Sequence, residues 1–351
     1  MKHPFLVLAP FVGFILSIMH TTKPIHAENE GFNSLKMDSF FSLLDHTNKM
    51  MGQISIMENG KTIYERTIGY ANIGKNIKAN DSSLYLIGSV TKTFTATMIL
   101  QLIDENKLSF DTRLSFFYPK MPNANKITIR FLLNHTSGLS DKYPIHLVKD
   151  IHKDTLTYTS DQIPDFVPGK KFIYCNINYG MLGLIIEKLT NSNFEDQLQL
   201  RICKKIGLRN TWFAKRPADS TRLTLAYYKK IGTWHEDVIG NRLDAYSAGG
   251  IVSNTSDMNS FLLNLSGGKL ITESSFSQLM GSLNMGYGYG IMYLQFYQKT
   301  GYGHSGDIGA FHSNMVIFPE DNLIISICIN GMDYSLNDIL KGVLSFYYHM
   351  D

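Results

Sequence analysis

Gln53-Ile-Ser-Ile-Met-Glu-Asn-Gly-Lys-Thr-Ile-Tyr-Glu-Arg-Thr-Ile68 contains two strand-like runs, Gln53–Met57 and Thr62–Ile68, around Asn59-Gly60. Asn-Gly between such runs is a strong hairpin signal, because both residues tolerate the positive φ that a tight turn between twisted strands requires. Upstream, Asn33 to Lys49 sets Phe40, Phe41, Leu43 and Leu44 among polar residues, which predicts an amphipathic helix. Near the other end, His312–Phe318 and Leu323–Ile329 are again strand-like, separated by Pro319-Glu-Asp-Asn322, and Leu336–His349 has a helical pattern. Between these ends, about Val90 to Phe261, the chain reads mostly as helices and loops punctuated by Gly and Pro. The pattern predicts an α+β fold. One antiparallel sheet, flanked by helices, is built from the N- and C-terminal segments (about 28–88 and 285–351), with a mostly helical insertion of about 89–284. Neither a fixed-period repeat nor a low-complexity linker divides it, so 28–351 is expected to be a single domain.

The composition, 44% hydrophobic and 18% charged over 351 residues, is that of a globular chain. Met1–Ala27 carries Lys2, an apolar run from Phe5 to Met19, and Ile25-His26-Ala27 before Glu28, which is the layout of a secretory signal cut after Ala27. The apolar run is shorter than the ~20 residues of a spanning helix, and Pro10 interrupts it. A secreted or periplasmic protein is expected, with an uncleaved N-terminal membrane anchor as the alternative. Cleavage would remove Lys2 and Lys23 and no acid, taking the net charge from +3 to +1. So small a charge gives no long-range field for gathering nucleic acid. Cys175, Cys203 and Cys328 are odd in number and widely spaced, and no disulfide framework is legible. Neither His-Glu-x-x-His nor a paired Cys motif occurs, so no metal and no other cofactor is expected.

Three short motifs carry chemistry. Ser89-Val-Thr-Lys92 opens the helical run Thr93-Phe-Thr-Ala-Thr-Met-Ile-Leu-Gln-Leu102. Ser and Lys three apart on a helix share a face, and the free N–H groups of the first turn favour developing negative charge. A serine hydroxyl is a poor nucleophile until a neighbour takes its proton, and a desolvated lysine is suited to that task. A second copy, Ser266-Gly-Gly-Lys269, has two glycines at its centre and reads as a turn. Tyr174-Cys-Asn176 follows Pro168-Gly169 and precedes an apolar helix-like run. A phenol near a lysine ammonium has a lowered pKa and is a candidate proton acceptor, and an amide is able to orient substrate and lysine together. Its decoy, Tyr70-Ala-Asn72, lies at the end of the first hairpin. His304-Ser-Gly306 leads into Asp307–Phe318. It offers a cation or hydrogen-bond donor on a strand, and a glycine that lets substrate backbone approach. Gly301-Tyr-Gly-His-Ser-Gly306 also matches a dinucleotide fingerprint, which is rejected because a strand follows it instead of a helix.

In this order the motifs resemble the serine β-lactamase and penicillin-binding protein superfamily, in particular its class C β-lactamase-like branch. Supporting segments are Leu133-Asn-His-Thr-Ser-Gly-Leu139, Phe166-Val-Pro-Gly169, Ser247-Ala-Gly-Gly250 with Ser256-Asp257, and Tyr287-Gly-Tyr-Gly290. The likeness runs from about Phe40 to near the C-terminus. It implies a β-lactamase/transpeptidase-like fold with Ser89 as acylated nucleophile, Lys92 as its partner and Tyr174 as proton shuttle. Substrate binding would fall to Asn176, His304, Ser305, Gly306 and Asp307, with the N–H groups of Ser89 and Asp307 forming an oxyanion hole. Two departures stand out: Cys175 replaces the family's usual Ser, and His304 stands for a lysine. An unperturbed histidine is largely neutral at pH 7.5, so binding of a substrate carboxylate is expected to be weaker and more pH-dependent. The resemblance therefore implies a serine hydrolase acting through an acyl-enzyme on an ester, amide or D-amino-acid peptide, with at most weak β-lactamase activity. The alternative is a slow-acylating or non-catalytic penicillin-binding or cell-wall-binding sensor. The partner is a small-molecule or peptide acyl substrate, cell-wall peptide included; oligomeric state is left open.

Other residues read as scaffold. His135 sits in a Thr-Ser-Gly turn and is expected to bond backbone; Gly249 and Gly250 permit close packing; Asp111 and Asp257 read as cap or loop acids. Tyr287 and Tyr289 fit either an acyl pocket or an aromatic strand-end cluster. The absence of Gly-x-Ser-x-Gly excludes an α/β-hydrolase elbow.

Overall fold

Asn59 and Gly60 take φ of +50° and +75°, the paired left-handed residues a two-residue hairpin turn needs. The computed structural model describes residues 32–141, 164–214, 222–238, 245–281 and 286–350, with 146–147 and 156–157 as backbone. The expected signal segment, Met1–Ala27, lies outside the described residues. The elements that position the site are α1 (Ser34–His46), β1 (Met50–Glu58), β2 (Lys61–Ile68), α2 (Thr91–Asp104), α3 (Asn176–Thr190), β3 (Tyr227–Lys230) and β4 (Thr233–Glu236). They continue with α4 (Thr255–Ser266), β5 (Met292–Phe296), β6 (Lys299–Ile308), β7 (Phe311–Phe318), β8 (Leu323–Met332) and α5 (Leu336–Tyr347). No described helix is long and apolar enough to cross a membrane.

The main sheet runs β2-β1-β8-β7-β6-β5, each neighbour antiparallel. Its centre joins distant halves of the chain: β1 pairs with β8 from Met50↔Met332 to Glu58↔Leu323. β8 is covered on both sides, so it reads as an almost unbroken apolar run rather than an alternating one. Leu323, Ile325, Ile327 and Ile329 pack with Met37 and Phe41 of α1 and Ile339 and Val343 of α5. Ile324 and Cys328 point the other way, into the core shared with α2, α3 and α4. One hairpin, β3–β4, arises within the stretch expected to be mostly helical and meets the sheet through a parallel bridge, Gly331↔Tyr227. Four-residue strands bearing Lys229, Lys230 and Glu236 give no readable period, and this pair was invisible in the hydropathy pattern.

Helix α2 is buried from Thr91 to Leu102, including its threonines, which are mediocre helix formers. Their hydroxyls compensate by bonding across to other segments. Thr91 Oγ1 accepts the Ile251 N–H (3.1 Å), Thr93 Oγ1 donates to Gly290 O (2.7 Å), and Thr95 Oγ1 donates to Ser247 O (2.7 Å). The helix is thereby fixed to the loops that close over its N-terminus. Phe94 is fully buried and stacks on Phe261 of α4, with ring centroids 3.7 Å apart and planes at 12°. Removing so large a buried ring leaves a cavity that close-packed surroundings fill only in part. Phe94→Ala is expected to cost about 3–5 kcal/mol, read as a lower denaturant midpoint at unchanged slope. A loss under about 1 kcal/mol would show that α2 is not held by this contact.

Candidate active site

Ser89 lies in a single 3-10 turn, Gly88–Val90, that feeds directly into α2. The turn and strand β6 touch backbone to backbone, and two glycines make that possible. Gly88 has φ +48°, and a Cβ there would lie 2.8 Å from Asp307 N; a Cβ on Gly306 would lie 2.1 Å from Ile87 O and 2.9 Å from Ser89 N. The amide nitrogens of Ser89 and Asp307 therefore sit on facing stretches of backbone, the arrangement an oxyanion hole requires.

Lys92 is fully buried, and its Nζ donates to three oxygens: Ser89 Oγ (2.9 Å), Asn176 Oδ1 (2.8 Å) and Ala248 O (2.8 Å). Burial pushes its pKa down to about 7, against the raising influence of Asp141 and Cys175. The partner set decides what the nitrogen does on losing a proton. Asn176 Oδ1 and Ala248 O only accept, so they retain the two remaining hydrogens, and the new lone pair faces the one partner able to donate, the Ser89 hydroxyl. The geometry is that of a serine with its general base in place.

Tyr174 completes the cluster. Its ring lies 4.8 Å from Lys92 Nζ, and Ser89 stands close enough to influence its acidity. Burial raises its pKa, as do the charges of Asp141 and Asp307, while the neighbouring Ser89 hydroxyl works the other way. The phenol is therefore held protonated and is suited to relaying a proton rather than acting as a phenolate base, the acceptor role expected from the sequence. Asn176 starts α3, and Asp141 holds it: the Asp141 carboxylate accepts from Asn176 N (2.8 Å), Asn176 Nδ2 (3.2 Å), Ile177 N (3.0 Å) and Cys175 Sγ (3.2 Å). Cys175 itself is buried, as its replacement of Ser requires.

His304 reaches the same region but is closed off. It is 1% exposed; Nε2 meets Tyr287 OH (3.0 Å) and Nδ1 meets Ser305 O (2.6 Å). Burial, then the nearby charge of Lys92, pushes its pKa down to about 3. It stays neutral across the working range, so the pH-dependent charge expected at this position is replaced by a neutral ring. Strand alternation turns Ser305 and Asp307 to the opposite side. Ser305 Oγ contacts Met292 Sδ (4.0 Å), and Asp307 Oδ1 meets His312 Nδ1 (2.5 Å). The structure brings the backbone of Asp307, not its side chain, to the turn that carries Ser89.

His135 has the structural place expected of it: Nδ1 accepts the Cys175 N–H (3.1 Å), and its ring packs 4.3 Å from that of Tyr174. Tyr287 and Tyr289 are buried, the first bonding His304 and the second accepting from Arg130 Nη1 (2.9 Å). Sequence reasoning missed Asp141 and the carbonyl of Ala248. Asp141 lies two residues beyond the quoted Leu133–Leu139 segment, and Ala248 within Ser247–Gly250, but neither carries a motif of its own.

The sequence profile of the family described as Beta-lactamase matches residues 45–341. Penicillin-binding protein 4 of Amycolatopsis lactamdurans is 25% identical over 298 residues, covering 77% of this chain and 78% of the relative. D-amino acid amidase from Ochrobactrum anthropi SV3, solved with L-phenylalanine amide, superposes with a TM-score of 0.75 at 20% identity, covering 90% of this chain and 99% of that one. A penicillin-binding protein from Bacillus halodurans gives 0.74 at 23% identity, covering 88% and 98%. These structures share the fold of this chain.

With Lys92 titrating near pH 7, the neutral amine gains population as pH rises from 5 to 9. The rate of acylation by a nitrophenyl ester is expected to climb with a midpoint near pH 7 and then level off. Stopped-flow release of nitrophenol checks this; a flat profile would remove Lys92 as the base, and a midpoint near 10 would show that burial does not lower its pKa.

Proposed function

The chain belongs to the beta-lactamase family and is a serine hydrolase, and we propose that Ser89 is its nucleophile, forming an acyl-enzyme with a neutral amide, peptide or ester. The observation that carries this reading is the three-partner environment of Lys92 Nζ, which among the described residues leaves Ser89 as the sole donor to a deprotonated amine. Lys92 takes the Ser89 proton as Oγ attacks the substrate carbonyl. The oxyanion forms against the N–H groups of Ser89 and Asp307, each such donor contributing about 3 kcal/mol in comparable hydrolases. The C–N or C–O bond then breaks, and the leaving group receives the proton from Lys92, directly or through the protonated phenol of Tyr174. In the second half a water loses its proton to Lys92 and attacks the acyl carbonyl; the acid product leaves and the proton returns to Ser89 Oγ.

The neighbours, a D-amino acid amidase and penicillin-binding proteins, suggest the substrate class: amides and peptides of D-amino acids. The neutral, enclosed His304 narrows it, since that wall offers no charge to a substrate carboxylate. Amides, esters and internal peptide bonds fit better than C-terminal acids or penicillins. The apolar run of Met1–Ala27 supports a reading in which the chain is exported and meets cell-wall peptide.

Intact mass after mixing with a panel of D-amino acid amides, esters and penicillins tests the reading. The wild type is expected to gain one acyl group and lose it again, and Ser89→Ala to gain none. Persistent adducts with every compound would favour the covalent sensor, and adducts on Ser89→Ala would end the assignment. Protein from the culture medium or periplasm is expected to have the mass of a chain starting at Glu28. A second test concerns His304. The ratio of rates on a D-peptide acid and its methyl ester is expected to stay constant between pH 5 and 8, whereas a ratio rising toward pH 5 would show His304 gaining charge.

A further inference from the structure

The geometry points to Asp141 as a positioning residue that fixes which way round the Asn176 amide stands and thereby aims the lone pair of Lys92 at Ser89. The inference rests on the reading of Ser89 as nucleophile. Asn176 has one accepting and one donating end, nearly identical in shape. Only the accepting end, Oδ1, leaves Lys92 with two acceptor-only partners; with Nδ2 turned inward, a neutral amine would have a second donor to choose from and the serine would lose its exclusive claim. Asp141 removes that freedom. Its carboxylate has no hydrogen to give, so the end of the amide facing it must be Nδ2 (3.2 Å), and the end facing Lys92 must be Oδ1 (2.8 Å).

The carboxylate is itself pinned. Cys175, the residue before α3, offers no side-chain cap, and Asp141 supplies one from elsewhere in the chain by accepting the first-turn N–H groups of Asn176 and Ile177. A negative charge at a helix N-terminus is favourable. Asp141 is also the largest influence raising the Lys92 pKa against burial. Among the described residues, the other ionisable groups facing the amine are Cys175 and Tyr174 just before α3, Tyr179 on α3, His304 on β6 and His135. Each of the four ring groups is held neutral: both histidines are pushed down by burial, and both phenols are pushed up by it. The Cys175 thiol is pushed up likewise, so Asp141 is the anion in this set.

Asp141→Asn tests the inference, with Asp141→Ser as a second variant that keeps a hydroxyl to cap α3. Two readouts apply: the plateau rate of acylation at high pH, and the titration of Lys92 followed by 13Cε NMR. The plateau is expected to fall tenfold or more in both variants, with KM for the same ester changed less than twofold. The Lys92 midpoint is expected to move to lower pH, because the anion that favours the ammonium is gone. Asp141→Glu, which keeps the charge, should return the midpoint toward the wild-type value. A plateau and midpoint both unchanged would overturn the inference. So would a fall in rate with an unmoved midpoint, since helix capping alone would produce that. The NMR titration needs no acylation. A wild type that forms no adduct therefore sinks the nucleophile assignment, whereas an unmoved midpoint in Asp141→Asn sinks this one.

Discussion

A lysine amine enclosed in protein is costly unless every hydrogen finds an acceptor, and the folding of this chain around Ser89 is organised by that requirement. The three acceptors of Lys92 come from three places: one helical turn back at Ser89, 84 residues onward at Asn176, and 156 residues onward at Ala248. The amine is satisfied only when the insertion has folded over α2. Threonines on α2 hold Ser247, beside Ala248, and Gly290, so the helix that carries the proposed nucleophile and base also anchors covering segments. Burial makes Lys92 a base at neutral pH, and the same burial leaves its lone pair a single direction.

Strand β6 adds backbone instead of side chains. Glycine at 88 and at 306 lets two main chains approach where any Cβ would meet an atom closer than 3.0 Å. The alternation of the strand then sends His304 inward and Ser305 and Asp307 outward. Enclosure strips His304 of charge, and Tyr287 fixes its ring. On the proposed reading the cleft combines a base, an oxyanion site and a proton relay, but offers a substrate carboxylate no histidine cation.

The ends of the chain were readable because their strands and helices are long enough to show a period and are bounded by turn residues such as Asn59-Gly60 and Pro319–Asn322. The hairpin β3–β4 was not, since four-residue polar strands have no periodic signature; what makes them part of the sheet is a bridge from Tyr227 to Gly331, over a hundred residues away. Of the site, Ser89 with Lys92 was legible from helical spacing, and Tyr174 with Asn176 from residue type and order. Asp141 was not, because an acid in a loop looks the same whether it faces solvent or caps a distant helix.

Residue order supplies the available groups: a hydroxyl and an amine one turn apart, a phenol beside an amide, and glycines where main chains must meet. Tertiary structure alone decided their chemical state. Whether Lys92 is charged, whether Tyr174 is a base or a relay and whether His304 is a cation depend on the solvent excluded and the partners supplied by segments far along the chain. Those are properties of a three-dimensional surrounding, and residue order does not encode them locally.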